Sequence, residues 1–353
     1  MPRLFVDISS HGYGHLAQTA PVLNRIVELR PNVRLTVRSG LPLARLKQRI
    51  RAHFEHIAGA SDFGFAMIDA LTIDPAATAT RYREAHADFA GRVAEDAALL
   101  RKLRADAVFS NVSYLPLAAA ARMGIPAKAM CSLNWADLYA NYFGMDAIHA
   151  EMLAAYRSAA FLRTAPSMPM PGLDDIVDIG TLAERGNARR GELRAKLGAG
   201  ETARVVMIAL GGIPKRLPVE GWPMLPDTHW LVPQSWNVER NDMHAFEPLG
   251  WPFADLLGSV DAVVAKPGYG TFAEAACNGT AVLYQRRADG WPEQDCLIDW
   301  LHAHARCAEV SAGDLQPGNL GATLESCLRS AVPPAPTFDG ADRAARRLAA
   351  LLT

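Results

Sequence analysis

The chain has 353 residues, enough for about two domains of ordinary size, each able to bury its own core. Half of the residues are hydrophobic and 21% are charged, which excludes a disordered, collagen-like or coiled-coil protein. The 36 Lys and Arg residues against 37 Asp and Glu leave a net charge of −1, so no overall field favours nucleic acid or anionic lipid, and neither is expected as a partner.

Asp7 interrupts the N-terminal segment MPRLFVDISSHGYGH where a signal peptide needs an unbroken apolar stretch. No apolar run reaches the roughly 18 residues of a spanning helix, so the expectation is a cytoplasmic protein without integral membrane association. The first elements expected are a strand at 4–8, a glycine loop, and a helix at 16–29 with apolar residues at helical spacing. Strand 33–37, helix 42–51, strand 54–57, one long helix 76–103, strand 107–110, helix 115–123 and strand 127–131 follow. The five cysteines, Cys131, Cys277, Cys296, Cys307 and Cys327, are widely spaced and read as reduced core thiols.

The stretch APSMPMPG at 165–172 carries three prolines and reads as the start of a linker. Beyond it the pattern restarts: helix 191–197, strand 205–210 ending in Gly211-Gly212, strand 229–232, helix 252–257, strand 262–265, helix 271–278, strand 281–284 and helix 294–303. Strands alternating with helices imply parallel sheets, and hence an α/β protein of two doubly wound, Rossmann-like domains. The expected limits are 1–165 for the first domain, 166–185 for the linker and 186–338 for the second domain. A final helix within 339–353 is free to pack on either. Such folds bind ligands at the carboxyl ends of strands, so the cleft between the domains is the expected site.

The strongest local signal is DAVVAKPGYGTFAE at 261–274, a buried strand emptying into a glycine loop with a helix expected from Thr271. Gly268 and Gly270 permit close backbone approach, and the unpaired N–H groups and positive dipole end of the helix suit a phosphate. Thr271, read as the helix cap or first residue, offers a hydroxyl. Lys266, one of only six lysines, offers charge at the loop edge. Turn and capping chemistry alone also accounts for such a loop.

This segment resembles the donor motif of GT-B glycosyltransferases of the UDP-glycosyltransferase superfamily, His-x-Gly-x-x-Ser/Thr-x-x-Glu, with Lys266 standing where the family has histidine. The resemblance implies a GT-B fold, two Rossmann-like domains facing each other across a cleft. It implies that Lys266 and Thr271 contact a diphosphate and that Glu274 holds ribose hydroxyls, with Gly268, Tyr269 and Gly270 forming the loop between. Glu293 and Gln294, in Trp-Pro-Glu-Gln at 291–294, are similar to the family's acidic-Gln pair for sugar hydroxyls, displaced by about three residues; a solvated helix start is the other reading. Gly211, Gly212 and Arg286 complete the expected donor set, Arg286 or its neighbour Arg287 adding charge near the diphosphate.

The loop His11-Gly12-Tyr13-Gly14-His15 is similar to the Gly-His loop after the first strand of the same enzymes, and to the transferase-like N-terminal region of plant arabinose kinases. A histidine in the first turn of a helix stays uncharged near neutral pH and can act as a base, which makes His15 the candidate. In relatives an aspartate orients this histidine. Asn111 stands at the matching strand end, either fixing the imidazole tautomer or forming an Asx turn, and Asp137 is the substitute carboxylate. His11, Gly12 and Gly14 belong to the same loop. Trp135 and Tyr139 are candidates for stacking on an acceptor, or else core residues. No metal site is expected, since His11 and His15 lack a third ligand.

The expectation is therefore a metal-independent, inverting transferase with no cofactor, using a nucleotide-sugar donor, UDP-linked as is commonest in the family, and an unidentified small-molecule or glycan acceptor. The alternatives are an epimerase or phosphorylase on the same fold, or a nucleotide-sugar-binding protein without turnover.

Overall fold

The computed structural model describes residues 1–352. Its first half runs β1 (Arg3–Ile8), α1 (Gly14–Leu29), β2 (Arg34–Ser39), α2 (Leu43–Arg49), β3 (Phe54–Ala58), and a short antiparallel hairpin of β4 (Met67–Asp69) and β5 (Thr72–Ile73). It continues α3 (Pro75–His86), α4 (Phe89–Leu103), β6 (Ala107–Asn111), α5 (Leu115–Met123), β7 (Ala127–Cys131), α6 (Trp135–Phe143), α7 (Ala147–Arg157), β8 (Ala160–Thr164) and β9 (Ile176–Gly180). The second half runs α8 (Arg190–Lys196), β10 (Arg204–Ala209), β11 (Thr228–Val232), β12 (Met243–Ala245), α9 (Phe253–Ser259), β13 (Ala262–Ala265) and α10 (Tyr269–Asn278). It ends with β14 (Ala281–Tyr284), α11 (Gln294–His304), β15 (Cys307–Glu309), α12 (Ala312–Leu315), α13 (Gly321–Arg329) and α14 (Gly340–Ala349).

Two parallel sheets result, ordered β3-β2-β1-β6-β7-β8-β9 and β12-β11-β10-β13-β14-β15. The strands are apolar on both faces because helices cover both: Leu4 and Val6 lie on one face of β1 and Phe5 on the other, and Val206 and Ile208 on one face of β10 with Val205 and Met207 on the other. A continuous apolar cluster crosses from β1 and α1 through α14 to α10 and β13, so the two halves share core as well as seam.

Two expectations are corrected, and the one left open for the closing helix is resolved. The long helix 76–103 is two helices, because Asp88 caps a new one by accepting from the Gly91 N–H at 2.9 Å. The linker expected at 166–185 contains β9, which pairs in parallel with β8 as the seventh strand of the first sheet. Its prolines do not make it a free connector: Met168 and Met170 are buried in the first half, and the Met168 N–H donates to the Ser132 carbonyl. The chain crosses to the second half only after Gly180. The closing helix returns to the first half, where α14 packs on α1 and β9 with Arg25 and Asp342 paired at 2.7 Å.

Beneath β1 and β2 lies a buried ionic network. Arg38 donates Nε–H to Asp7 at 2.5 Å and both terminal nitrogens to Asp96 at 2.7 Å, while the Ser61 hydroxyl donates to the other Asp7 oxygen. Removing the cation strands two buried carboxylates. Arg38→Met is expected to destabilise the protein by about 3–5 kcal/mol, read as a lower urea midpoint at neutral pH.

Candidate active site

In each sheet the strand order reverses between two neighbours, β1 and β6 in the first, β10 and β13 in the second, and a crevice opens at their carboxyl ends. The register sets Asn111 beside Ile8, just before the His11–His15 loop, and Ala265 beside Ala209, so that Gly211 meets Lys266. At Gly211 φ is +91°, and an added Cβ would lie 3.3 Å from the Lys266 Cε. The two crevices face each other and enclose a cavity of roughly 600 Å³.

The helix starts meet across this cavity. α10 begins at Tyr269, two residues before the expected start, with Gly268 at its cap and no capping side chain. Thr271 is thus the third helical residue and not the cap; its hydroxyl and the first-turn N–H groups at 269–271 are the donors offered there. Gly270 is required by close approach: a Cβ would come within 2.9 Å of the Ala17 Cβ on α1. Any diphosphate at α10 therefore lies beside the histidine loop.

On the first-half wall, the His15 Nδ1 lies 2.9 Å from Asn111 Oδ1. The Asn111 amide nitrogen donates to Gln18 Oε1 at 3.2 Å and to the His15 carbonyl at 3.4 Å, which turns Oδ1 toward the ring. Nδ1 then carries the proton and Nε2 is left as the acceptor. Burial lowers the His15 pKa to about 4, with the Asn111 bond opposing, so the ring is neutral at pH 7. His11 is held well below its usual value by burial first, then by the nearby charges of His15, Lys266 and Arg287. Its ring lies parallel to Trp291 of the second half at 5.9 Å.

On the opposite wall, Lys266 is pulled down to about 7 by burial and then by repulsion from Arg287. Burial pushes the Glu293 carboxyl up. Among the described residues eight buried side-chain polar atoms lack a hydrogen-bond partner, and six belong to His11 or the 285–293 loop: His11 Nε2, Gln285 Oε1, Arg287 Nε and Nη1, Asp289 Oδ1 and Glu293 Oε1. Buried polar atoms are nearly always paired, and those of His11, Arg287 and Glu293 line the cavity, so this set suits a polar ligand. Among the described residues no group of three or more His, Cys, Asp or Glu is placed to hold a metal ion.

The structure brings His11, Gly12, Gly14, His15, Gly211, Gly212, Lys266, Gly268, Tyr269, Gly270, Thr271, Glu274 and Glu293 to the one cavity, with Asn111 directly behind His15. Other expected residues lie elsewhere. Arg286 points outward to Asp295 and Glu309, and its neighbour Arg287 faces the site, its guanidinium 4.5 Å above Trp291. Gln294 exchanges hydrogen bonds with the Arg287 backbone and holds the loop. The Tyr269 hydroxyl is taken by Ala165 and Leu182. Asp137 bonds Asn134 at the start of α6 and does not meet His15. Tyr139 packs on Tyr82 with its hydroxyl on Asp146. Trp135 is wholly buried, donates to Asp62 at 2.7 Å and supports the ring of His11 edge-on.

Sequence reasoning missed Arg49 and Gln18. Arg49 at the end of α2 carries no motif; it grips Glu274 across the cavity. Gln18 lies one turn beyond His15, and helical spacing was the available signal.

No family model matches the chain. An L-arabinokinase of Arabidopsis thaliana is 26% identical over 350 residues, 94% of this chain and 32% of that protein, so the chain spans about a third of the curated relative it matches. Among solved structures, the glycosyltransferase of kitacinnamycin is 17% identical with a TM-score of 0.61, covering 99% of this chain and 96% of that one. A putative UDP-N-acetylglucosamine 2-epimerase from Listeria monocytogenes is 13% identical with a TM-score of 0.60, covering 99% and 95%. The chain has the GT-B fold, the architecture of these glycosyltransferase neighbours. No helix among the described residues is long and apolar enough to cross a membrane.

With its pKa near 7, Lys266 is largely neutral at pH 8, and an anion beside it draws a proton onto the amine. Calorimetric titration with inorganic pyrophosphate at pH 8, in buffers of differing ionisation enthalpy, is expected to show more proton uptake than Lys266→Arg, whose side chain is already charged.

Proposed function

We propose that this chain is a glycosyltransferase that moves a sugar from a nucleoside diphosphate sugar to an acceptor hydroxyl. The observation that carries the reading is the opposition of a neutral histidine with a free Nε2 to an uncapped helix start, a buried lysine and the unpaired polar atoms of His11, Arg287 and Glu293, all around one cavity. The donor's diphosphate lies at the start of α10 against Lys266 and Thr271. Its sugar faces Arg287, Glu293 and His11.

The acceptor oxygen attacks the anomeric carbon from the first-half side. As that C–O bond forms, the hydroxyl proton passes to His15 Nε2, and the bond from the anomeric carbon to the diphosphate oxygen breaks. Direct displacement inverts the carbon. Asn111 holds the Nδ1–H, keeping the lone pair of Nε2 toward the cavity. An amide steadies the resulting imidazolium less than a carboxylate does, so more of that task falls to the anionic leaving group nearby. Lys266 and the helix end take up the charge developing on the diphosphate, a role that calls for no metal.

A sugar-nucleotide epimerase is the second reading, favoured by two UDP-N-acetylglucosamine 2-epimerases among the structural neighbours. It would change the nucleotide sugar with no acceptor present, which NMR of the product distinguishes.

Two outcomes are expected. Lys266→Ala weakens nucleoside diphosphate binding by about 1.5–3 kcal/mol in calorimetric titration without divalent metal, and binding of no nucleotide by the unmodified protein overturns the donor site. His15→Ala lowers turnover by about 10²–10⁴-fold with donor affinity unchanged; an undiminished rate removes His15 from the mechanism.

A further inference from the structure

Glu274, the carboxylate placed for ribose hydroxyls, is held from the opposite half of the molecule. Arg49 donates Nη1–H to Oε1 at 2.6 Å and Nη2–H to Oε2 at 2.9 Å. The same Nη1 reaches Glu184 at 3.0 Å, and Arg51 holds the other Glu184 oxygen at 2.9 Å. The Arg49 guanidinium rests 5.8 Å from the centre of the Phe253 ring, so its plane is backed by an aromatic wall of the cavity. Glu274 is only 1% exposed.

A carboxylate so buried is pushed toward its neutral form, and the burial is opposed by the charge and hydrogen bonds of Arg49. On Arg49 itself, burial acts to lower the pKa, and the attraction of Glu274 and Glu184 outweighs it, so the guanidinium keeps its charge. Two parallel hydrogen bonds also fix the plane of the carboxylate. They occupy one acceptor position on each oxygen, and each oxygen has two. The backbone N–H of Glu184 also reaches the carboxylate, and the acceptor capacity left is available to a hydroxyl donor in the cavity that Glu274 lines.

We propose that Arg49 is the positioning residue of the ribose subsite: from the first half its two hydrogen bonds fix the plane of the Glu274 carboxylate, so that Glu274 accepts from the ribose 2′-hydroxyl. The inference rests on the donor-site reading above. It makes that subsite a product of both halves, complete only when the α2 end lies against α10.

The test is the preference for ribose over 2′-deoxyribose. UDP, GDP and ADP and their 2′-deoxy counterparts are titrated into the unmodified protein, Arg49→Met, Arg49→Lys, Glu274→Gln and the Arg49→Met/Glu274→Gln double variant. The unmodified protein is expected to favour the ribonucleotide by on the order of tenfold, one charge-assisted hydrogen bond. Glu274→Gln and Arg49→Met lose that preference, and the double variant loses no more than the worse single one. Arg49→Lys keeps the charge that supports the fold but not the two-point grip, and loses most of the preference. Because both nucleotides are titrated into the same sample, the ratio is insensitive to a general loss of folded protein. Undiminished preference in either Arg49 variant, with loss in Glu274→Gln, overturns the role of Arg49 and leaves the donor site standing. Equal affinity for both sugars in the unmodified protein overturns the inference at Glu274 as well. No nucleotide binding at all overturns the donor-site reading and this inference with it.

Discussion

Everything in the site depends on the close approach of two helix starts across the seam between the sheets. α1 and α10 each follow a strand at the point where the strand order of their sheet reverses, and Gly270 lets them come within van der Waals contact at Ala17. Around that contact water is excluded, and groups that would be solvated in either half alone become buried by the other. Hydrogen bonds and ion pairs across the seam hold the arrangement on both sides of the cavity: Arg49 with Glu274 at one end, Lys215 with Asp69 and Arg287 with the Ala70 carbonyl at the other. The β4–β5 hairpin belongs to the first half by sequence, yet Ala70 packs in the apolar cluster of the second.

Burial then sets the protonation states. It drives His11 and His15 toward the neutral ring, Lys266 toward the neutral amine and Glu293 toward the neutral acid. A ligand that brings an anionic diphosphate and several hydroxyls reverses part of that cost: the anion returns charge to Lys266, and the hydroxyls answer the unpaired atoms of Glu293 and His11. Glu274 differs from this group because Arg49 already grips both of its oxygens, and that pair organises the cavity before any ligand enters.

Much of the fold is legible in the residues because buried parallel strands are short apolar runs and the helices between them keep their spacing. The elements missed are those whose signal is weak or borrowed. β9 follows a proline-rich stretch and exists as a strand only through pairing with β8; β15 has three residues; the break between α3 and α4 turns on one cap at Asp88. Among site residues, those on glycine loops were legible because the backbone conformation itself is written in the glycines. Side chains after β14 were not: Arg286 and Arg287 are chemically alike, and which one faces the cavity is set by the direction of the chain leaving the strand. Asp137 and Tyr139 carry suitable chemistry, but capping and core packing on α6 direct both elsewhere.

The sequence by itself determined two parallel sheets with helices between, two glycine loops at strand-to-helix junctions, and the chemical types gathered there. These follow from local properties: hydrophobic period, glycine freedom and the unpaired donors of a helix start. Only the tertiary structure decided that the loops face each other, that Asn111 and not Asp137 holds His15, that Arg287 and not Arg286 enters the cavity, and that Arg49 reaches Glu274 over 225 residues of chain. Those outcomes depend on burial and on the docking of one half against the other, and no local stretch of residues encodes the neighbour that will remove its water.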